Sequence, residues 1–190
     1  MAPRAPASEG APLVAISGPA GAGKTALIEQ LILRLIALGT EVAVIVCGPS
    51  AAAQAEELRR SGLIAPERVV DIAHGGDAGD LAARIPGVEL ILVEHAGDPP
   101  ADRFAFRVRV VEAASLRGLG ARAPVLPPGC DLLVANKDAL SGGVEDEPRR
   151  GATTLVRTNC ITGVGVDRVL DIIARALRIG RPGAKRVHAP

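Results

Sequence analysis

Eight residues near the start of this 190-residue chain carry its clearest chemical signal. They read Gly18-Pro19-Ala20-Gly21-Ala22-Gly23-Lys24-Thr25 and fit the pattern G-x-x-x-x-G-K-[ST]. In a loop of this kind the glycines let backbone N–H groups turn toward phosphate oxygens. Lys24 would then reach the β- and γ-phosphates of a nucleotide, and the Thr25 hydroxyl would bind Mg²⁺. The pattern therefore predicts a phosphate-binding loop.

Both flanks of this loop have the secondary structure that phosphate binding requires. Residues 13–17 form a short apolar run, typical of a buried strand, and residues 26–38 are apolar at helical spacing. A helix that begins at the loop adds the positive end of its dipole to the site. A chance glycine-rich turn, the alternative interpretation, would not require these flanks. We therefore predict that residues 18–25, together with Ala26, bind the phosphates.

The rest of the chain alternates between apolar runs and helical stretches. Runs at 41–47, 68–73, 89–94, 106–112, 132–135 and 154–158 predict strands; residues 51–60 and 166–177 predict helices, and 80–85 a short one. This alternation favours an α/β fold of the P-loop NTPase type, a mostly parallel sheet with helices on both faces. We assign 13–179 to that domain, and expect 1–12 and 180–190 to be disordered tails.

Composition argues against several classes of function. The chain has 22 Lys and Arg against 21 Asp and Glu, no Trp or Tyr, and only Phe104 and Phe106 as aromatic residues. We therefore expect no nucleic-acid binding, which favours basic surfaces or stacking aromatics. No apolar run could span a bilayer and no signal peptide is evident, so we expect a cytoplasmic protein without membrane contact. Its three cysteines should be reduced thiols.

Two further groups of polar residues stand where predicted strands end, and parallel strands share one ligand-binding edge. Glu94 ends the run 89–94 and could hold the water shell of Mg²⁺; a solvated terminal glutamate is the alternative. Asn136 and Lys137 follow the run 132–135 and are of the types that brace a guanine base and the phosphate loop. In a guanine-binding loop of this kind, a carboxylate two residues after the lysine would accept hydrogen bonds from guanine N1 and N2. Here Ala139 occupies that position, and Asp138 comes one residue before it.

Three residues after the last predicted strand complete the expected nucleotide site. The backbone N–H groups of Thr158, Asn159 and Cys160 are candidates for contacts with the base. The full prediction assigns catalysis to Lys24, Thr25 and Glu94, with Mg²⁺ on the last two. It assigns nucleotide binding to residues 18–26, Asn136, Lys137, Asp138, Asn159 and Cys160.

Six stretches together carry a resemblance to a known family. They are G-P-A-G-A-G-K-T-A-L-I-E at 18–29, A-E-E-L at 55–58, P-E-R-V-V at 66–70, V-E-H-A-G-D at 93–98, D-L-L-V-A-N-K at 131–137 and T-N-C-I-T-G-V-G-V-D at 158–167. The chain resembles the UreG family of urease accessory GTPases and, more distantly, the HypB family. The resemblance implies a GTP-hydrolysing metallochaperone that delivers nickel to an apo-enzyme with other accessory proteins. It also implies a homodimer formed with nucleotide and metal.

The sequence departs from this family at residues that bear on metal binding and turnover. The family carries Cys-Pro-His, which binds nickel, after a Gly-Gly pair, whereas Gly75-Gly76 is followed here by Asp77. The family also has an Asp just after the second strand, where this chain has C-G-P-S at 47–50. Segments 77–85 and 141–152 are short for the family. The lost carboxylate should slow hydrolysis, which depends on charge neutralisation around Mg²⁺.

One interpretation is that the remaining cysteine and histidine side chains form a relocated site for a transition metal. Cys47, His74 and His95 are all predicted near the same edge of the sheet, and a thiolate with imidazoles suits nickel or zinc. The alternative is that they are ordinary loop residues, because nothing in the sequence fixes their spacing. Nickel binding is therefore the least supported expectation.

Three functions remain open at this point. The first is a UreG-like, Mg²⁺-dependent GTPase of metalloenzyme maturation. The second is a nucleotide-binding scaffold or regulatory subunit with little hydrolysis and no nickel binding. The third is a small-molecule kinase on the same fold, for which no lid segment is evident.

Overall fold

A single parallel sheet organises the molecule. The computed structural model describes residues 10–72, 77–100, 103–116, 129–138 and 154–179. Its seven strands are β1 (Leu13–Ser17), β2 (Val42–Cys47), β3 (Val69–Ile72), β4 (Leu90–His95), β5 (Phe106–Glu112), β6 (Leu132–Asn136) and β7 (Thr154–Arg157). They lie in the order β3-β2-β4-β1-β5-β6-β7, and every pairing is parallel. All seven predicted strands are confirmed.

Within the described residues, four α-helices cover the two faces of the sheet. They are α1 (Lys24–Ala37), α2 (Ala51–Ser61), α3 (Ala78–Ala82) and α4 (Val166–Leu177). Residues of α1, α2 and α4 share the larger core on one face, and α3 packs on a smaller core on the other. The predicted fold class, a mostly parallel sheet with helices on both faces, is therefore confirmed.

The central strands are apolar throughout because both of their faces are covered. Every residue of β1 is buried, as is all of β2 except Cys47 at its end. The strand β5 differs, since Phe106, Val108 and Val110 are buried while the residues between them are partly exposed. A continuous apolar pattern therefore indicates a strand that is covered on both faces. The alternating pattern of β5 indicates a strand that is covered mainly on one face.

Parallel pairing brings the carboxyl ends of distant strands to one edge of the sheet. Ser17 at the end of β1 lies in register with His95 at the end of β4, and His95 with Cys47 at the end of β2. Farther along this edge Glu112 of β5 is in register with Asn136 of β6. The chain leaves β1 directly into the glycine-rich loop, so that loop also lies at this edge.

Two predictions about segment boundaries have different outcomes. The short helix expected at 80–85 is found slightly earlier, where Asp77 caps α3 by accepting a hydrogen bond from the Gly79 N–H at 2.8 Å. The tails at 1–12 and 180–190 and the segment 141–152 fall wholly or largely outside the described residues, so the domain limits stay predictions. Within the described part of the chain, no helix is long and apolar enough to cross a membrane.

Candidate nucleotide-binding site

The glycine-rich loop follows a path that only glycine can take at two positions. Gly18 has a φ of +148°, and a side chain there would meet the Val110 carbonyl oxygen at 2.1 Å. Gly23 has a φ of +89°, and its side chain would meet the Asn136 amide nitrogen at 2.1 Å. Gly23 is also the N-cap of α1, so no side chain caps that helix. The N–H groups of its first turn are therefore left for an anionic ligand.

Lys24, Thr25 and Glu94 meet at the start of α1. The Thr25 hydroxyl donates to Glu94, with its oxygen 2.9 Å from Oε2 and 3.1 Å from Oε1. The Lys24 ammonium lies 4.0 Å from Glu94 Oε1 and donates to the Pro19 carbonyl across the loop at 3.2 Å. Glu94 is only 1% exposed, so the alternative of a solvated strand terminus is wrong. The fold thus brings together the three residues predicted to be catalytic.

Burial sets the protonation behaviour of Glu94. Removal from water raises the pKa of its carboxyl group, and the charges of Glu57 and Glu29 raise it further. The Thr25 hydrogen bond and the Lys24 charge oppose this rise without cancelling it. A divalent cation at this carboxylate would compensate its buried charge. Carboxylate and hydroxyl oxygens are also the ligands that Mg²⁺ prefers, so Thr25 and Glu94 fit the predicted metal.

Asn136 connects the phosphate loop to the loop that follows β7. Its side-chain amide donates to the Ala22 carbonyl at 3.0 Å. Its carbonyl oxygen accepts from the Thr158 hydroxyl at 3.2 Å and from the Cys160 N–H at 3.1 Å. The side chain is buried, so each of these bonds replaces one that water would make. Asn136 therefore braces the loop, as its sequence context predicted.

Lys137 and Asp138 form ion pairs with neighbouring strands. Lys137 has a φ of +61°, and its ammonium pairs with Glu112 at the end of β5. The buried carboxylate of Asp138 accepts from the Arg157 guanidinium at 3.1 Å. The Asp138 N–H also donates to the Thr158 carbonyl at 3.1 Å, which fixes the carboxylate between β6 and β7. Ala139 lies outside the described residues.

The backbone donors expected to meet the base all have acceptors within the protein. The N–H of Thr158 donates to the Ala135 carbonyl at 2.8 Å, and that of Asn159 to the Val164 carbonyl at 3.0 Å. The N–H of Cys160 donates to Asn136, as described above. Contact of Asn159 and Cys160 with a base therefore stays a prediction.

The candidate soft-metal ligands are only partly described. Cys47 and His95 are neighbours across β2 and β4, and His95 Nδ1 lies 3.0 Å from the Gly97 carbonyl oxygen. Burial raises the pKa of the Cys47 thiol to about 11, which disfavours the thiolate that a metal needs. Among the residues described, no three His, Cys, Asp or Glu side chains are placed to share a metal, and His74 lies outside them. The relocated nickel site stays a prediction.

Gln54 is a member of the site that the sequence analysis did not identify. Its amide lies 3.5 Å from Glu94 Oε1, which links α2 to the carboxylate. A signal was present, since Gln54 shares a helix face with the buried residues Ala51, Ala55 and Leu58. A polar residue within such an apolar stripe indicates a buried polar partner.

Sequence comparison identifies the relatives of this chain. It is 37% identical over 193 residues to urease accessory protein UreG 2 of Methylobacterium radiotolerans, covering 86% of this chain and 93% of the relative. It is 36% identical over 191 residues to UreG 2 of a Bradyrhizobium species, covering 85% and 89%. The chain belongs to the UreG family. A family model described as methylmalonyl Co-A mutase-associated GTPase MeaB also matches residues 3–61.

Solved structures share the fold of this UreG-family chain at low sequence identity. HypB from Helicobacter pylori in complex with nickel superposes with a TM-score of 0.63 at 14% identity, covering 90% of this chain and 88% of that one. The hydrogenase maturation factor HypB from Archaeoglobus fulgidus gives 0.56 at 21% identity, covering 88% and 90%. At such identities the likeness concerns the fold alone.

Proposed function

We propose that this UreG-family protein binds and hydrolyses GTP with Mg²⁺ and acts as an accessory protein in metalloenzyme maturation in the cytoplasm. The observation that carries the proposal is the buried Glu94 carboxylate, held by Thr25 and beside Lys24 behind a glycine-rich loop. A buried carboxylate does not help the sheet to pack, and binding of a metal at this position would explain why it is there. Family membership supplies the biological setting, since the relatives are named as urease accessory proteins.

The residues divide the work of phosphoryl transfer among themselves. The Lys24 ammonium and the first-turn N–H groups of α1 would neutralise the phosphates, and Thr25 and Glu94 would hold Mg²⁺. The metal supplies charge neutralisation at the phosphates when bound. Because Lys24 and Glu94 are both buried, their fields are weakly screened by water and act strongly on the ligand. Asn136 keeps the loop in place during this process through its bond to Ala22.

Partners and metal cargo belong to the same proposal. We expect this chain to work with other accessory proteins and an apo-metalloenzyme, and to dimerise when loaded with nucleotide.

A scaffold that binds nucleotide but hardly turns it over is the second candidate. The stretch 47–50 favours it, because this segment leaves β2 toward α2 without a carboxylate.

Calorimetric titration with GTP, GDP, ATP and ADP in the presence of Mg²⁺ tests the nucleotide site. We expect about micromolar binding of GTP by the wild-type chain. Lys24→Ala should abolish measurable binding or lower hydrolysis by about 10²–10³-fold. This is the usual effect of removing one preorganised hydrogen-bond donor from the charge that develops in the transition state. Arg60→Ala is the control, because Arg60 is an exposed residue of α2 that pairs with Glu56 and not with the site.

The possible results separate the two candidates. Absence of nucleotide binding by the wild-type chain would overturn the proposal. Tight binding without release of phosphate in a hydrolysis assay would favour the scaffold. A repeat of the titration with Ni²⁺ or Zn²⁺ tests the cargo, and nucleotide affinity that rises with either metal would support a metallochaperone.

A further inference from the structure

The Arg34 guanidinium in α1 joins three separate elements. Its Nη1 donates to the Gln30 side-chain oxygen at 2.8 Å and to the Gln30 carbonyl at 3.1 Å, one turn earlier in the same helix. Its Nη2 donates to the Gly163 carbonyl at 3.1 Å, in the loop after β7. Its Nε pairs with Asp167 in the first turn of α4.

The loop that Arg34 contacts is a compact turn built around Asn159. The Asn159 side-chain oxygen accepts from the N–H groups of Ile161 and Thr162, and its carbonyl accepts from Gly163 at 2.8 Å. Gly163 has a φ of +80°, and a side chain there would lie 3.0 Å from Arg34 Nη2. A side chain at residue 163 would crowd the guanidinium, and the left-handed backbone there favours glycine.

This loop is held at two points by elements of the nucleotide site. At its start, Cys160 donates to Asn136, which in turn donates to the phosphate loop. At its far side, Gly163 accepts from Arg34, which belongs to the helix that begins at Lys24. Arg34 stands ten residues beyond Lys24, about 15 Å along the helix at 1.5 Å per residue. Arg34 therefore acts on the loop and not on the phosphates.

We propose that Arg34 is a positioning residue for the base of the bound nucleotide. It fixes the 158–165 loop to α1, so that the half of the site next to Asn136 keeps its place relative to the phosphate loop. This inference rests on the proposed nucleotide site and adds a residue that sets the base half of it. Its guanidinium contacts protein atoms, and its effect on the nucleotide would pass through Gly163.

A structural role for Arg34 that does not involve the loop would rest mainly on its ion pair with α4. The Asp167 side chain is 81% exposed, and exposed ion pairs contribute little to stability. The variant Asp167→Ala removes this pair and leaves the bond to Gly163, so it is a matched control. Arg60→Ala is a second control, since it removes an exposed arginine of α2.

The experiment compares a ligand that has a base with one that has only phosphates. Binding of Mg²⁺-GDP and of Mg²⁺-tripolyphosphate is measured by calorimetry or competition for wild-type protein and each variant. We expect Arg34→Ala to weaken GDP binding about tenfold and to leave tripolyphosphate binding unchanged. Arg34→Lys should recover only part of the loss, because a single ammonium cannot reproduce the guanidinium fork. Both controls should bind both ligands as the wild type does.

Each contrary result has a separate meaning. Equal losses for the two ligands, or no loss for GDP, would overturn the positioning role while leaving the nucleotide site intact. Wild-type protein that binds neither ligand would overturn the proposed function and this inference with it. If Arg34→Ala does not fold, Arg34→Lys and Arg34→Gln carry the same comparison of the two ligands.

Discussion

At the scale of single residues, Glu94 has opposite effects on stability and on function. Its burial holds the carboxylate against Thr25, where we propose that it binds Mg²⁺, but the same burial makes its charged form unfavourable in the folded protein. The cause of the raised pKa is loss of water, which Lys24 only partly offsets. Active sites commonly lower stability in this way to hold a charge ready for a ligand.

The variant Glu94→Gln should stabilise the metal-free protein and impair its activity. A carboxyl group whose folded pKa is raised contributes stability below its unfolded pKa and loses that contribution as pH rises through the folded pKa. Glutamine carries no charge at any pH, so its advantage should be present at pH 7–8 and fade toward pH 4.5. Hydrolysis should fall by about 10²–10³-fold.

Thermal melts of both proteins between pH 5 and 8 measure this effect. Each kcal/mol of stabilisation corresponds to about 2–4 °C in a domain of this size. Glu56→Gln, an exposed carboxylate of α2, is the control and should leave the melting temperature nearly unchanged. A Glu94→Gln protein that melts lower than wild type at pH 8 would contradict our account of this carboxylate.

At the scale of elements, the turn into α4 depends on close approach of two backbones. Gly165 is the N-cap of α4 with a φ of +78°, and a side chain there would lie 2.1 Å from the Arg157 carbonyl oxygen of β7. Gly39, after α1, has a similar φ of +73° but no atom within 4 Å of its would-be side chain. The two glycines share a left-handed backbone and differ in their surroundings.

Alanine at each glycine should therefore separate backbone strain from steric conflict. Gly39→Ala should lower the free energy of unfolding by about 1–2 kcal/mol, the ordinary penalty for a non-glycine residue with a left-handed backbone. Gly165→Ala should cost about 2 kcal/mol more, because β7 or α4 must move within a packed core. Urea unfolding midpoints measure both losses. Equal losses would mean that the approach of α4 to β7 is looser than the contact indicates.

At the scale of the whole molecule, the nucleotide site is assembled from strands on both sides of β1. Glu94 comes from β4 on one side, while Asn136 and Arg157 come from β6 and β7 on the other. Glu94 bonds to Thr25 in the half that we propose for the phosphates, and Asp138 pairs with Arg157 in the half that we propose for the base. We therefore expect base preference to depend on residues of β6 and β7, and phosphate binding on α1 and β4.

We expect weak discrimination between guanine and adenine, below about tenfold. Asp138 is engaged by Arg157, and Ala139 stands where a carboxylate would read guanine. Ala139→Asp should raise the preference for GTP over ATP by about tenfold or more, since a charged hydrogen bond is worth about 1.5–3 kcal/mol. Glu56→Gln is the control, because Glu56 is an exposed residue of α2 that pairs with Arg60 and lies outside this loop.

Competition binding with GTP, GDP, ATP and ADP measures this preference for the wild-type chain and both variants. A wild-type preference for GTP above a hundredfold would contradict the expectation. It would also mean that other groups near Asn136 read the guanine. An unchanged ratio in Ala139→Asp would count against residue 139 as the position that reads the base.

The sequence by itself determined the phosphate loop, the seven strands and the class of fold. These follow from signals that are local in the chain: glycine spacing, continuous apolar runs and helical periodicity. Glu94 was predicted at the ligand-binding edge because it ends a buried strand of a parallel sheet, and the structure places it beside Thr25 and Lys24. Its role in binding stays a prediction. The strands found at 42–47, 90–95 and 132–136 agree with their predictions to within one residue at each end.

Only the tertiary structure decided which of these residues meet. Thr25 and Glu94 are 69 residues apart in sequence and bond because β4 lies beside β1 in the sheet. The contact of Gln54 with Glu94, the pairing of Asp138 with Arg157 and the bond from Arg34 to Gly163 likewise depend on strand order and helix packing. Local periodicity assigns a residue to an element and a face, but the partner across a sheet depends on long-range packing, which no local pattern encodes.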